Sequence, residues 1–147
     1  MTQQTDKQDL RKWGKEYGEK LNNLSNISNE LVVDIAKKVG GFLGKKNEDN
    51  ADAIDLKMNQ IRRFLVAARK IETEIKSKSF EAVSDTIVLL RPKLAYAAGR
   101  EQKVVPLMNV LDPAIKSAAQ SRENFKKFLK LIESIIAFHK YYGGKND

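Results

Sequence analysis

Apolar residues in this chain recur at intervals of three and four positions, the spacing that places them on one face of an α-helix. The pattern is clearest before Lys78, where Asp52 or Asp55 is the expected cap at the start. The apolar positions of this stretch are Ile54, Met58, Ile61, Leu65, Ala68, Ile71 and Ile75. We therefore predict one long amphipathic helix that ends at about Lys78.

Shorter segments with the same periodicity are bounded by residues that favour helix ends. Serine and asparagine side chains accept hydrogen bonds from the first turn of a helix, and glycine ends a helix readily. The candidate starts are Ser28 or Asn29, Ser79, and Ser121 or Asn124. The candidate ends are Gly40–Gly41 for the first of these helices and Gly143–Gly144, after Tyr142, for the last.

Proline divides the chain between these helices, because it lacks an N–H and disfavours helical geometry in the preceding residue. Pro92 therefore marks either a kink or the first turn of a further helix that ends near Gly99. Pro106 and Pro113 are expected to bound a short apolar piece over residues 107–111.

The fold class follows from what these patterns include and omit. No segment alternates strictly between apolar and polar residues, and no Asn-Gly or Asp-Gly turn signals a hairpin. We predict an all-α fold, a compact bundle of five to six helices, forming a single domain over residues 1–147. We expect residues 1–27, with a helical stretch over 13–24, to be peripheral, and the polar run 44–51 to be a flexible exposed loop.

The net charge of +8 is concentrated in the middle of the chain. Residues 56–103 carry 11 basic and 5 acidic side chains, and five of the seven arginines of the chain fall in this segment. Lysine and arginine on solvated helix faces serve solubility, which is one interpretation. Arginine, however, presents a planar fork that matches phosphate, so its enrichment favours an anionic partner.

Four of these cations share one face of the long predicted helix. At about 100° per residue, Arg62 and Arg69 fall together, as do Arg63 and Lys70, all away from the apolar face. A merely solvated face usually carries acidic residues four positions earlier. The residues at those positions are Met58, Asn59, Leu65 and Val66. The unbalanced charge again favours an anionic partner.

A second basic cluster spans residues 90–101, where Arg91, Lys93 and Arg100 accompany Tyr96 and a run of alanines. Tyr96 has two interpretations. It packs inside the bundle, which is the interpretation we favour, or it stacks on a base or ribose of a nucleic acid.

The sequence offers little for catalysis or cofactor binding. It contains no cysteine, which excludes disulfides, a thiolate nucleophile and a cysteine-ligated zinc. Its only histidine, His139, lies on the apolar face of the last helix, so we expect a hydrogen-bonded core histidine. Gly44 precedes Lys45 and Lys46 without the spacing of a phosphate loop, and we expect residues 40–46 to end a helix. We expect no enzyme activity, no metal and no cofactor.

Apolar runs are at most four residues long, far short of the roughly 20 that cross a bilayer. We therefore expect no membrane association and no signal peptide, and a cytoplasmic protein.

Three segments resemble a known family. They are the Arg62-Arg63-Phe64 turn, the run Leu90-Arg-Pro-Lys-Leu-Ala-Tyr-Ala-Ala-Gly-Arg100, and the C-terminal Glu133-Ser-Ile-Ile-Ala-Phe-His-Lys-Tyr-Tyr-Gly143. Together they resemble the small subunit of type III-A CRISPR interference (Csm) complexes over residues 52–143, whereas residues 1–50 show no resemblance.

The resemblance implies a compact helical protein without nuclease activity, present in several copies that stack along the effector. It implies contact with the guide RNA and its paired target RNA, with neighbouring copies, and with other Csm-complex subunits including the large signature subunit. Contact would be to phosphate and sugar, because base pairing reads the sequence in guided complexes. The residues that would carry it are Arg62, Arg63, Arg69, Lys70, Arg91, Lys93 and Arg100. The alternative is a helical adaptor that binds an acidic protein partner.

Overall fold

The computed structural model describes residues 12–145, which form an all-α structure, as predicted. Residues 12–20 are helical (α1), and six further helices follow. They are α2 (Asn29–Leu43), α3 (Asn59–Ser77), α4 (Phe80–Val88), α5 (Leu90–Arg100), α6 (Val105–Ala118) and α7 (Arg122–Tyr141). Short 3₁₀ turns at Leu24–Asn26 and Gln102–Val104 precede α2 and α6. Ser28, Ser79 and Ser121 cap α2, α4 and α7 through their side chains, so the serine is the cap in each of the two pairs of alternatives.

One continuous apolar core joins all seven helices. Its centre holds aromatic rings from α3 and α7: Phe64 meets Phe128 edge to face at 6.3 Å, and Phe125 stacks beside Phe128 at the same distance. This contact fixes one side of α3 against α7 and leaves the opposite side of α3 in solvent.

Gly40 shows how closely α2 and α7 approach each other. The predicted stop at Gly40–Gly41 is wrong, because α2 continues to Leu43. A Cβ at Gly40 would lie 2.6 Å from the Cβ of Phe138 and 2.9 Å from the backbone N of His139. Gly40 therefore serves the close crossing of α2 and α7, and α2 ends at Gly44 instead.

Residues 12–27 were expected at the periphery, but part of them is buried. Trp13 and Leu21 belong to the core, and a Cβ at Gly14 would meet the carbonyl oxygen of Pro106 at 2.7 Å. Segment α1 thus lies directly against α6. Residues 1–11 of the predicted periphery lie outside the described residues.

The long helix starts later than predicted, at Asn59 rather than at Asp52 or Asp55. The preceding residues run along the end of α2, where the Ile54 N–H donates to Phe42 O at 2.8 Å and the Leu56 N–H donates to Leu43 O at 3.0 Å. The last carbonyls of a helix have no partner within it. Pairing with those carbonyls outweighs the helical pattern of residues 53–57.

The polar run 44–51 is largely exposed and makes several local contacts. The Asn50 side-chain amide donates to Gly41 O at 2.8 Å, and the Lys46 N–H donates to the Asp55 carboxylate at 3.1 Å. The flexibility of this loop stays a prediction.

Proline is accommodated inside helices. Pro92 lies in the first turn of α5, which is one of the two predicted alternatives. The prediction that Pro106 and Pro113 bound a short separate piece is wrong. A single helix, α6, spans both prolines. Its buried apolar face outweighs the roughly 3 kcal/mol that an interior proline costs.

His139 is a buried core histidine, as predicted, with only 1% of its surface exposed. Its Nε2 lies 2.7 Å from Leu56 O, so α7 holds the extended segment before α3. Burial lowers the pKa of His139, and the nearby charges of Arg62 and Lys140 lower it further, against the opposing effect of the Leu56 hydrogen bond. Gly144 packs against the imidazole ring, and Gly143, with a φ of 81°, ends the helix as predicted.

Within residues 12–145, no helix combines the length and the apolar composition that a membrane crossing requires.

Candidate nucleic-acid interface

The exposed side of α3 carries the four cations that the periodicity predicted there. Arg62, Arg63, Arg69 and Lys70 are all exposed, whereas Ile61, Leu65 and Ala68 face the core. We call this set the α3 basic face.

Val66 lies in the middle of the α3 basic face and is 53% exposed. The cations stand three and four positions before it and three and four positions after it, the spacing of neighbours on a helix surface. Val66 thus adds an exposed apolar side chain to a surface that is otherwise cationic. Sequence reasoning missed Val66, although its position between the two cation pairs was a visible signal.

The four cations differ in what else they contact. Arg69 approaches Glu133 of α7 at 4.0 Å with both side chains about half exposed, which makes a weak ion pair. Arg62 has a further partner within the protein. In the described part of the chain, no side-chain hydrogen bond or ion pair involves Arg63 or Lys70, so both side chains are available to an external anion.

The cluster on α5 separates into one engaged cation and two exposed ones. Arg91 binds Asp112 of α6 with two hydrogen bonds, Nε to Oδ1 at 2.7 Å and one terminal nitrogen to Oδ2 at 3.1 Å. These bonds raise the pKa of Arg91. Lys93 and Arg100 are exposed, and neither forms an ion pair within residues 12–145.

Tyr96 is 68% exposed, so the interpretation we favoured, packing inside the bundle, is wrong. The buried side of α5 consists of Leu90, Leu94, Ala97 and Ala98, which leaves Tyr96 on the opposite side. The guanidinium carbon of Arg100 lies 5.9 Å from the centre of the Tyr96 ring, within cation–π range. We call Lys93, Tyr96 and Arg100 the α5 exposed face. Its signal in the sequence was the spacing of Tyr96 from Leu90 and Leu94.

The seven predicted residues thus lie on two helices that pack against each other, four on α3 and three on α5. Six of them are exposed, and Arg91 is half-buried in its pair with Asp112. Arg91 serves the contact between α5 and α6 through its pair with Asp112.

Other parts of the described structure show no catalytic or metal-binding constellation. No group of three histidine, cysteine, aspartate or glutamate side chains among residues 12–145 is arranged to hold a metal ion. A cavity of about 470 Å³ lies between α1 and the 46–55 loop, next to the stacked rings of Trp13 and Phe42. Its charged lining combines lysines and carboxylates without a nucleophile–base pair.

The described residues form a small, basic, all-helical protein, and α3 and α5 are among the helices that carry exposed cations. Residues 26–145 match the family model described as Csm2 Type III-A. The chain is also similar to a protein of Streptococcus thermophilus named CRISPR system Cms protein Csm2. The two are 30% identical over 123 residues, which cover 82% of this chain and 98% of that protein. The chain therefore belongs to the Csm2 family, the small subunit of type III-A CRISPR complexes.

This membership confirms the resemblance and corrects its extent. The resemblance was confined to residues 52–143, whereas the family match begins at residue 26 and includes all of α2. Residues 26–50 therefore belong to the family's common fold.

Proposed function

We propose that this chain is a non-catalytic RNA-binding subunit that contacts the phosphate backbone of the guide RNA and its paired target RNA without sequence specificity. The observation that carries the proposal is the set of exposed cations without an ion pair on α3 and α5. They are Arg63, Lys70, Lys93 and Arg100. Arg62 and Arg69 add charge to the same surface.

The spacing of these cations fits a nucleic-acid strand. Arg63 and Lys70 are seven residues apart on one helix, or about 10.5 Å along its axis. This distance spans phosphates one or two nucleotides apart. Contacts to phosphate position a protein on RNA without reading its bases, so affinity should be the same for unrelated sequences.

The proposed lack of catalysis is supported by the environment of the only histidine. His139 is buried, and its Nε2 is engaged with Leu56 O, so it cannot reach an external substrate as a general base. The proposal gives the chain an architectural role beside RNA.

The proposed assembly places several copies side by side along the guide RNA–target RNA duplex, in contact with one another and with other Csm subunits, including the large signature subunit. Each copy supplies few phosphate contacts, so an array of copies would bind far more tightly than one.

The test is binding of the purified chain to a labelled single-stranded RNA of scrambled sequence at several salt concentrations. With about three to five phosphates neutralised, log K should fall against log salt with a slope of about −2 to −3.5. The double substitution R63Q/K70Q should make the slope shallower by about 1.4, since each lost phosphate contact accounts for about 0.7.

The matched control is K37Q/K38Q, which removes the same charge from two exposed lysines of α2. Equal effects of the two double variants would reduce the proposal to a nonspecific charge effect, and a loss confined to one RNA sequence would contradict it. If the free chain binds no RNA, the next measurement is whether guide RNA co-purifies with the chain in its complex. Guide RNA in that complex would indicate a subunit that binds RNA only when assembled, and its absence would indicate an adaptor for an acidic protein.

A further inference from the structure

The α5 exposed face includes an aromatic ring that phosphate contacts do not explain. Building on the proposed function, we propose that Tyr96 is a stacking residue for an unpaired nucleobase of the bound RNA. The phosphates next to that base would contact Lys93 and Arg100.

The ring of Tyr96 is presented on a rigid support. It projects from the middle of α5, whose opposite side is anchored in the core by Leu90 and Leu94, both fully buried. The guanidinium carbon of Arg100, one helical turn further on, lies over one face of the ring at 5.9 Å from its centre, so a base would stack on the other face. The buried leucines thus fix the helix that carries Tyr96 while 68% of the residue stays accessible, which lowers the entropic cost of stacking.

The space next to the ring is open. A Cβ built on Gly99, three residues after Tyr96, would meet nothing within 4 Å beyond its chain neighbours and the backbone of α5 itself. No other part of the described chain thus covers α5 at Gly99, which agrees with the 68% exposure of Tyr96.

Charge complementarity favours RNA over a protein as the occupant. From Leu90 to Arg100, α5 contains three cations and no acidic residue, and only Arg91 of these cations is neutralised, by Asp112. An aromatic anchor of a protein interface is usually surrounded by contacts that exclude water. Tyr96 is instead surrounded by an exposed lysine, an exposed arginine and a glycine.

The base must be unpaired, because a base inside a continuous duplex offers its flat face only to its stacked neighbours. Aromatic side chains bind RNA bases that are splayed out of the stack or lie in single strands. Such stacking tolerates every base, so it agrees with binding that is independent of sequence.

The experiment compares wild type, Y96F and Y96L on two single-stranded RNAs of equal length, one with all its bases and one abasic at every position. Stacking on one base typically contributes about 5- to 150-fold in affinity. Y96L should lose affinity for the normal RNA within that range, with an unchanged slope against salt, whereas Y96F should bind like wild type. On the abasic RNA the difference between Y96L and wild type should shrink at least severalfold.

The control is Y141L, which removes another exposed tyrosine, on α7. Because Tyr96 and Tyr141 are both exposed, Y96L and Y141L should melt at the same temperature as wild type. Unchanged melting temperatures would show that a loss of RNA affinity is not caused by unfolding. The inference is overturned if Y96L binds RNA as tightly as wild type. It is also overturned if Y96L loses the same affinity for both RNAs. Failure of Y96L to assemble with other subunits, with RNA binding intact, overturns it in favour of a protein contact.

The two proposals fail differently. Salt-dependent binding that responds to R63Q/K70Q but not to Y96L overturns this inference alone. If R63Q/K70Q leaves the RNA affinity and its salt slope unchanged, the proposed function is overturned.

Discussion

The crossing of α2 with α7 and the exposed faces of α3 and α5 use similar residue types for opposite purposes. At the crossing, Gly40 lets two helices touch, and His139 is buried with its ring nitrogen bound to a carbonyl. On α5, Gly99 opens onto solvent, and Tyr96 is exposed. The difference shows that the residue type alone does not determine the role of a glycine or an aromatic ring. Its surroundings in the fold determine whether it packs in the core or is available for binding.

The cations likewise fall into two groups, those bonded to backbone carbonyls and those exposed without such a bond. Arg122 donates to the carbonyl oxygens of Ile75 and Lys78 at the end of α3, and Lys127 donates to those of Leu24 and Ile27. These cations hold helix ends and turns together, whereas Arg63 has no such partner in the described chain. Substitutions in the first group should change stability alone, and those in the second should change RNA affinity alone.

The largest expected effect is on stability at the helix crossing. Gly40→Ala places a Cβ against Phe138 and the backbone of α7, so the two helices must separate. We expect a loss of about 3 kcal/mol in the free energy of unfolding, measured by urea denaturation.

Gly99→Ala is the matched control, because its Cβ meets open space within a helix and should stabilise the protein by up to about 1 kcal/mol. Equal losses for the two variants would show that the crossing is looser than the structure indicates.

The next effect separates an engaged cation from an exposed neighbour. Lys127→Met removes the donor to two carbonyls in the turn before α2, and we expect a loss of about 1–2 kcal/mol in urea denaturation. Lys126→Met removes the same charge from an exposed site and should change stability by less than about 0.5 kcal/mol. If both substitutions act alike, the Lys127 hydrogen bonds contribute nothing.

These contacts also explain how far the sequence could predict the fold. The starts at Ser28, Ser79 and Ser121 were predictable, since a cap acts within three residues of itself. The errors involve distant partners that no local pattern contains. The cap expected at Asp55 was such an error, because residues 53–57 pair with the end of α2, and Gly40 was misread because α7 crosses it.

The candidate site shows the same limit. Exposure of the α3 basic face followed from helical periodicity alone. The partner of Arg91, 21 residues away on another helix, could not be inferred from spacing. Exposure of Tyr96 depended on where α5 begins, which Pro92 left open between two alternatives. Binding of RNA by any of these residues stays a proposal.

A smaller effect should appear on acidification, because the buried His139 has a lowered pKa in the folded state. Below its ordinary pKa of 6.5, the unfolded chain takes up a proton that the folded chain does not, which favours unfolding. The contribution of His139 is therefore complete above about pH 6.5 and declines as the pH falls toward the lowered value.

Urea denaturation at pH 7.5, 6.5 and 5.5 measures this decline, and His139→Gln should flatten it while leaving the carboxylate contribution unchanged. The chain has no other histidine, so the difference between the two profiles isolates this group. Identical profiles would show that the ring is protonated without cost. The salt dependence of RNA affinity should be the same in wild type and in His139→Gln.

The smallest expected effect concerns Arg91, which lies within the basic cluster of α5 but is held by Asp112 like the structural cations. Since the pair is about one-third exposed, Arg91→Gln should lower stability by no more than about 1 kcal/mol. It should leave the salt slope of RNA binding unchanged, whereas Lys93→Gln should make it shallower by about 0.7. A change in slope as large as that of Lys93→Gln would mean that RNA displaces Asp112. The carboxylate would then compete with phosphate for Arg91, and Asp112→Asn should bind RNA more tightly than wild type.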